Sequence, residues 1–335
     1  VTAPKSDLRK YIDTTQALPA DCVLGNILWY GVEDKPYDVD HVKQSFDLLN
    51  LNPSVLPPDN KSINAFEKAS QEIHGRKYPL PGDLEAELLI HEVSRDEETV
   101  LRQVTRKVRD AKQKELGYDK VGELVFYRDV TRGGKVQKGT SRLRTSLVPF
   151  GPGSATIEAG ERVELLKALE EVETCFPLYR DTWDGNKVRG ILRDYVGYLN
   201  GVMMRSGVYF VHSTRTTELE ALQKFARGLD GGSMTLFPLP ELKAMREEVI
   251  EAFQAEAAKE LGEVVAAIQK VRGTRKTLTP EMHRKLKEQY NTVMRKATEY
   301  GRTLRVTQER TAGAAELASD ALLSLEADLR KQMES

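Results

Sequence analysis

Residues 270–285 read KVRGTRKTLTPEMHRK, and reading them as a turn between two long helices decides the architecture of the last third of the chain. Gly273 suits the end of a helix, because it tolerates the left-handed backbone that closes one. Thr279 followed by Pro280 suits the start of the next, as an N-cap hydroxyl and a pre-set first-turn φ. Before the turn, Leu242, Met245, Val249, Ala252, Leu261, Val264, Ile268 and Val271 fall on one stripe. After it, Leu286, Val293 and Tyr300 recur every seven residues, interleaved with Ala297, Leu304, Thr311, Ala318 and Leu325. Sustained heptads predict a coiled coil, here an antiparallel helical hairpin. At ~1.5 Å per residue its arms measure ~48 Å and ~80 Å, so residues beyond about 311 are expected to pack on the body or on a second copy.

Upstream of the hairpin the patterns alternate between strand and helix, which predicts an α+β body. CVLGNILWYGV (22–32) reads as buried strand, and residues 38–51 and 62–74 as short helices around the proline-rich link LNPSVLPPDN. LEAELLIHEV (84–93) reads as strand. From Glu97 to Glu115, Leu101, Val104, Val108 and Ala111 stand at helical spacing among Arg and Lys, which predicts a basic amphipathic helix. VGELVFYRDV (121–130) and VQKGTSRLRTSLVPF (136–150) read as strands joined through TRGGK, whose glycines suit a hairpin turn. Helical spacing returns at Val163, Leu166, Leu169 and Val172, and again from Val188 to Leu199. GVYFVHS (207–213), a helix from Thr217 to Leu229, and MTLFPLP (234–240) form a strand–helix–strand unit suited to a parallel crossover or a small sheet layer. These signals divide the chain at 1–83, 84–240 and 241–335.

The segment RSGVYFVHS, followed by a helix, TLFPLPEL and the long helices, resembles uncharacterised proteins of bacteriophages and mobile bacterial elements. The resemblance covers about residues 84–330. It implies a phage-related origin and no activity.

With 40% hydrophobic and 30% charged residues and a formal net charge of −1, the composition is that of a soluble globular protein. The longest apolar runs fall far short of the ~20 residues of a membrane span, and VTAPKSDLRKYID has no apolar signal core, so the expected location is cytoplasmic. Cys22 and Cys175 stand apart without a neighbouring Cys/His cluster, which points to buried free thiols rather than a disulfide framework or structural zinc.

No catalytic motif is present. GKVQKGTS (134–141) approaches the phosphate-binding loop GxxxxGK[ST], but Thr140 stands where Lys is required and strand patterns lie on both sides. GPGSA (151–155) lacks the nucleophile-elbow frame. None of the five histidines pairs at metal-binding helical spacing; His91 and His212, at strand patterns, are expected to be hydrogen-bonded structural residues. Asp110-Ala111-Lys112 echoes a nuclease acid-x-Lys without the matched upstream acid. Trp29 and Trp183 read as packing residues, with Trp183 in the polar RDTWDGN open to a stacking role. No cofactor or metal is expected.

Charge placement is the remaining signal. Residues 1–100 hold 18 acidic against 10 basic residues, residues 102–144 hold 13 basic against 5 acidic, and residues 270–305 hold 11 basic against 3 acidic. Clustered cations gain by releasing the counterions condensed on nucleic acid. The expected contacts are Lys270, Arg272, Arg275, Lys276, Arg284 and Lys285 at the hairpin tip, Arg102, Arg106 and Arg109 on the basic helix, and Arg132, Lys135 and Lys138 on the hairpin, where Arg128, Arg142 and Arg144 add to the charge. The bland reading is that acids of the N-terminal region neutralise the middle cluster within the fold. The sequence therefore supports a non-enzymatic nucleic-acid or nucleoprotein binder, with self-association through its C-terminal helices as a further expectation. The alternative is a phage-related structural factor that binds a protein partner through the helical arm.

Overall fold

The computed structural model describes residues 19, 22–110, 112, 114–132, 135–137, 139–147, 157, 159–273, 279–304 and 309–334. Along the chain, β1 (Val23–Val32), β2 (Tyr37–Asp38), α1 (Val39–Leu48) and α2 (Ser62–Gln71) come first. A run of strands follows: β3 (Lys77–Leu80), β4 (Leu84–Arg95), β5 (Thr99–Arg109), β6 (Glu115–Tyr127), β7 (Thr131–Arg132), β8 (Lys135–Val136) and β9 (Arg142–Leu147). Next are α3 (Ala159–Asp181), β10 (Thr182–Trp183), α4 (Gly185–Tyr198), β11 (Val202–Arg205), β12 (Val208–His212), α5 (Thr216–Gly228) and β13 (Gly232–Pro240). The helices α6 (Lys243–Gly273), α7 (Pro280–Leu304) and α8 (Glu309–Glu334) complete it. The fold is α+β, as the alternating patterns predict.

The chain divides into two interleaved units, one drawn from Val1–Glu33, Ser45–Val55 and Arg189–Ser335, the other from Asp34–Gln44 and Leu56–Val188. This grouping cuts across the sequence boundaries at 83 and 240.

The first unit is built on a sheet of order β11-β12-β1-β13. β12 and β13 are each antiparallel to β1, so they run parallel to one another on either side of it, with α5 as the crossover. The strand–helix–strand unit read from residues 207–240 is present, and β1, from the start of the chain, is inserted into its middle. Gly25 allows that insertion: a Cβ there would lie 2.3 Å from the carbonyl oxygen of Val211. Phe225 of α5 meets Phe46 edge-on at 4.6 Å, while Val202, Phe210 and Leu239 share a core with Val249, Phe253 and Tyr300 of the C-terminal helices.

α6 and α7 form the antiparallel hairpin, in register through Phe253 stacked on Tyr300 at 5.0 Å and Glu256 bonded to Lys296 at 2.8 Å. The expected long second arm is corrected. One helix ends at Leu304, another begins at Glu309, and this α8 lies against both α6 and α7. Ala318, Leu322 and Leu325 are buried, the two leucines in a cluster with Val264, Ile268 and Leu286. The heptads therefore serve a three-helix bundle, and the helix beyond 311 finds its partners within it. Gly301 and Thr303 near the end of α7 and Gly313 near the start of α8 are poor helix formers. Leu304, Ala318 and Leu325 keep the seven-residue repeat from one helix to the next because all three are buried in the bundle.

The second unit carries a five-stranded antiparallel sheet of order β3-β4-β5-β6-β9. Here the predicted basic helix over 97–115 is corrected: residues 99–109 are strand β5. Val100, Val104 and Val108 are four apart, a spacing common to the helical and the two-residue period. Thr99, Val100, Val104, Thr105 and Val108 are β-branched and pack well on a pleated surface, which resolves the ambiguity. One face of this sheet is covered by α2 and α3, with Phe126 stacked on Phe66 at 5.0 Å and edge-on to Phe176 at 5.8 Å.

Candidate nucleic-acid interface

The arginines of β5 point where their register sends them. Arg102 and Arg106 share the covered face with Val100 and Val104, so charge enters the core beneath α2 and α3 and must be matched there. Arg106 Nη1 donates to both carboxylate oxygens of Glu161 at 2.7 Å, and Nη2 donates to Asp119 Oδ2 at 2.7 Å. Tyr78 Oη donates to the same Glu161 at 2.9 Å; burial first, and then Glu161, holds its hydroxyl pKa far above the ordinary value. Arg102 Nη1 donates to Ser70 Oγ at 2.6 Å, while Nη2 lies 3.6 Å from Glu92 and 3.8 Å from Glu67, and the guanidinium sits over the Phe66 ring. Arg109, on the opposite face, pairs with Glu87 at 3.3 Å. All three expected contact residues of this cluster are engaged by internal acids.

At the tip the structure keeps the predicted cap: Thr279 Oγ1 accepts from the Met282 N–H at 3.2 Å, and Gly273 ends α6. Lys270 and Arg272 belong to the last turns of α6, while Arg275 and Lys276 lie outside the described residues. Arg284 and Lys285 are exposed and make i,i+4 pairs with Glu288 at 3.7 Å and Glu281 at 2.9 Å. Lys285 holds the Glu281 carboxyl below its ordinary range. Exposed pairs of this kind are weak and give way to a stronger anion.

Sequence reasoning named the tip and missed the stripe that continues from it. Arg284, Lys287, Asn291, Arg295 and Arg302 succeed one another at steps of three, four or seven along α7, and all five are exposed. The first four line a shallow groove with Glu288 and Thr292. Among the described residues Lys287, Arg295 and Arg302 make no ion pair. The helical spacing of those cations was the available signal. Arg330 first, then Lys287 and His283 of α7, hold Glu326 of α8 below its ordinary carboxylate value, which places the middle of α8 near the tip.

In the hairpin, Arg132 is paired by register with Lys135 across β7 and β8, and Lys138 lies outside the described residues. The described part of residues 134–141 contains strand and turn with no helix for a phosphate loop to open; Thr140 Oγ1 instead accepts from the Val130 N–H and donates to the Gln137 carbonyl, both at 2.7 Å. Arg142 and Arg144 of β9 are exposed.

The other candidates resolve into structural roles. His212 Nδ1 accepts from the Thr214 N–H at 3.3 Å, and burial lowers its pKa. Asp110 Oδ1 accepts from the N–H groups of Lys112 and Lys114, both at 2.9 Å, which closes a turn. Trp183 is fully buried and so unavailable for stacking. The two thiols are free, but Cys22 is exposed and Cys175 only partly covered, a correction to the expected burial. No group of metal-binding side chains and no helix long and apolar enough to cross a membrane occurs among the described residues. A cleft of about 750 Å³ in the second unit is lined by both apolar and charged residues, among which Lys43 pairs with Asp59, Arg180 with Asp181, and Asp129 accepts from Ser62 Oγ.

These features define an α+β protein with a three-helix bundle formed by its last helices, and with cations on the outward face of α7 and on the β9 edge of the larger sheet that make no ion pair among the described residues. The chain belongs to the family of unknown function DUF6744, whose model matches residues 23–331. Comparison with curated proteins and with solved structures gives no match.

Proposed function

We propose that the protein is a non-enzymatic nucleic-acid-binding protein that holds the phosphate backbone along the outward face of α7. The observation that carries this reading is the contrast between two sets of cations. Those of β5 are matched by acids of their own unit, whereas Lys287, Arg295 and Arg302 stand exposed in line with Arg284 and make no direct ion pair among the described residues, Lys287 acting on Glu326 only at longer range. From Arg284 to Arg302 the stripe extends ~27 Å, enough to follow several phosphates of a duplex at ~3.4 Å per strand step. Phosphate contacts position a backbone and carry no sequence information, so the binding is expected to be sequence-tolerant.

The test is a titration of duplex DNA and RNA against salt. Substituting Arg284, Lys287, Arg295 and Arg302 together by Gln should weaken binding alike for all sequences and flatten the log–log salt slope by roughly 0.9 for each phosphate no longer neutralised. Absence of binding by the natural protein at low salt, or an unchanged slope in the variant, overturns the reading. Retention of an acidic protein in place of nucleic acid would assign the stripe to a protein partner.

A further inference from the structure

The five-stranded sheet has a second face that α2 and α3 do not cover, and its two ends differ in chemistry. Register places Thr99, Tyr127 and Arg142 in one row across β5, β6 and β9, and Leu101, Val125 and Arg144 in the next. At the other end of the same face, Lys107 pairs with Glu115, Arg109 with Glu87 and Lys120 with Glu123. Acid matching stops before the β9 end. Arg142 and Arg144 make no ion pair among the described residues, and Tyr127 is 40% exposed with no aromatic partner there.

We propose that this end of the open face binds single-stranded nucleic acid, a base stacking on Tyr127 while Arg142 and Arg144 hold the backbone. Neighbouring strands lie ~4.8 Å apart, so Arg142 flanks the tyrosine, and Arg144 follows ~6.8 Å further along the edge strand on the same face. An aromatic ring on an antiparallel sheet beside cations on a strand edge suits unpaired bases, whose π-faces are free; in a duplex those faces are stacked on one another. Charge complementarity favours this occupant over an apolar one. The rows hold two guanidinium groups without an acid partner among the described residues, and the nearby carboxylates Glu123 and Asp96 are already engaged, by Lys120 and Thr99. The site uses residues of the second unit alone and stands independently of the α7 stripe.

The experiment measures binding of unstructured oligonucleotides of about 12 nucleotides, DNA and RNA, and of the matching duplexes, to the full chain by fluorescence anisotropy. Tyr127→Ala should weaken single-strand binding by on the order of five- to a hundredfold, and Tyr127→Phe should restore it because the ring remains. Arg142→Gln with Arg144→Gln should flatten the single-strand salt slope by roughly 1.4, at about 0.7 per phosphate released. The effect of Tyr127→Ala should persist when the α7 cations are also replaced, which separates the two sites. Unchanged single-strand affinity in Tyr127→Ala, an equal weakening for duplex and single strand, or failure of Tyr127→Phe to restore binding overturns the assignment. Melting temperatures, expected to be unaltered at these exposed positions, exclude unfolding as the cause.

Discussion

Arg106 on β5 and Glu161 in the first turn of α3 meet as a buried fork, with one guanidinium nitrogen donating to both carboxylate oxygens at 2.7 Å and each residue less than 8% exposed. The pair ties the covered face of the sheet to the helix above it. Asp119 and Tyr78 occupy further hydrogen-bonding positions, so the charges are matched as well as buried.

Glu161→Ala should therefore destabilise the second unit by about 3–5 kcal/mol, because it strands a buried guanidinium. Replacing both partners by apolar residues, Arg106→Met with Glu161→Leu, should recover much of that stability. Urea denaturation of the two variants checks the order; equal destabilisation would mean that packing and not charge matching dominates.

Removing residues 309–335 should uncover the stripe formed by Val264, Ile268 and Leu286. Deleting Leu322 and Leu325 alone forfeits about 3–6 kcal/mol of burial, and the exposed surface should promote association. Lower melting temperature with larger mass in light scattering is the expected pair of results, and a monomeric truncation of unchanged stability would contradict the bundle.

Burial places the pKa of His212 below its unfolded value, so the neutral ring is the one the fold favours. Glu299 acts in the opposite sense and Arg246 in the same sense as burial. The stability contributed is present above the unfolded pKa near about 6.5 and is lost as pH falls through the lower folded value. His212→Asn should keep much of the contact to the Thr214 N–H while removing this part of the acid sensitivity. Between about pH 7.5 and about pH 5 the natural protein should therefore lose more melting temperature than the variant, and the two curves should separate as pH falls.

The parts of the fold legible in the sequence were those whose signal is local. The unit of β12, α5 and β13 declares itself through β-branched and aromatic runs on either side of a helical pattern, whereas insertion of β1 between the two strands depends on pairing across nearly two hundred residues. For β5, valines four apart satisfied both periods, and only the β-branched content favoured strand. The third helix of the bundle hid behind a heptad that carries on from α7 into α8. At the candidate interface, the basic character of residues 102–144 was readable and its neutralisation was not. Glu161 lies 55 positions from Arg106, and only the sheet and α3 bring them together.

That distinction between matched and unmatched cations yields the last prediction, a double dissociation. Arg102 is 14% exposed and held by Ser70, Glu67, Glu92 and the face of Phe66, so Arg102→Gln removes a charged hydrogen bond and a ring contact from the edge of the core. It should cost about 1–3 kcal/mol in stability and leave nucleic-acid affinity and salt slope unchanged. Arg295 and Arg302 are exposed on α7, and replacing both by Gln should change stability by no more than about 0.5 kcal/mol while flattening the salt slope by roughly 1.8 on duplex. The two measurements, denaturant midpoint and salt-dependent affinity, move in different variants if basic residues are divided between fold and function as the ion pairs indicate. Should Arg102→Gln flatten the slope as well, the guanidinium must leave its acids on binding, and the β5 cluster would return to the interface that the sequence alone assigned to it.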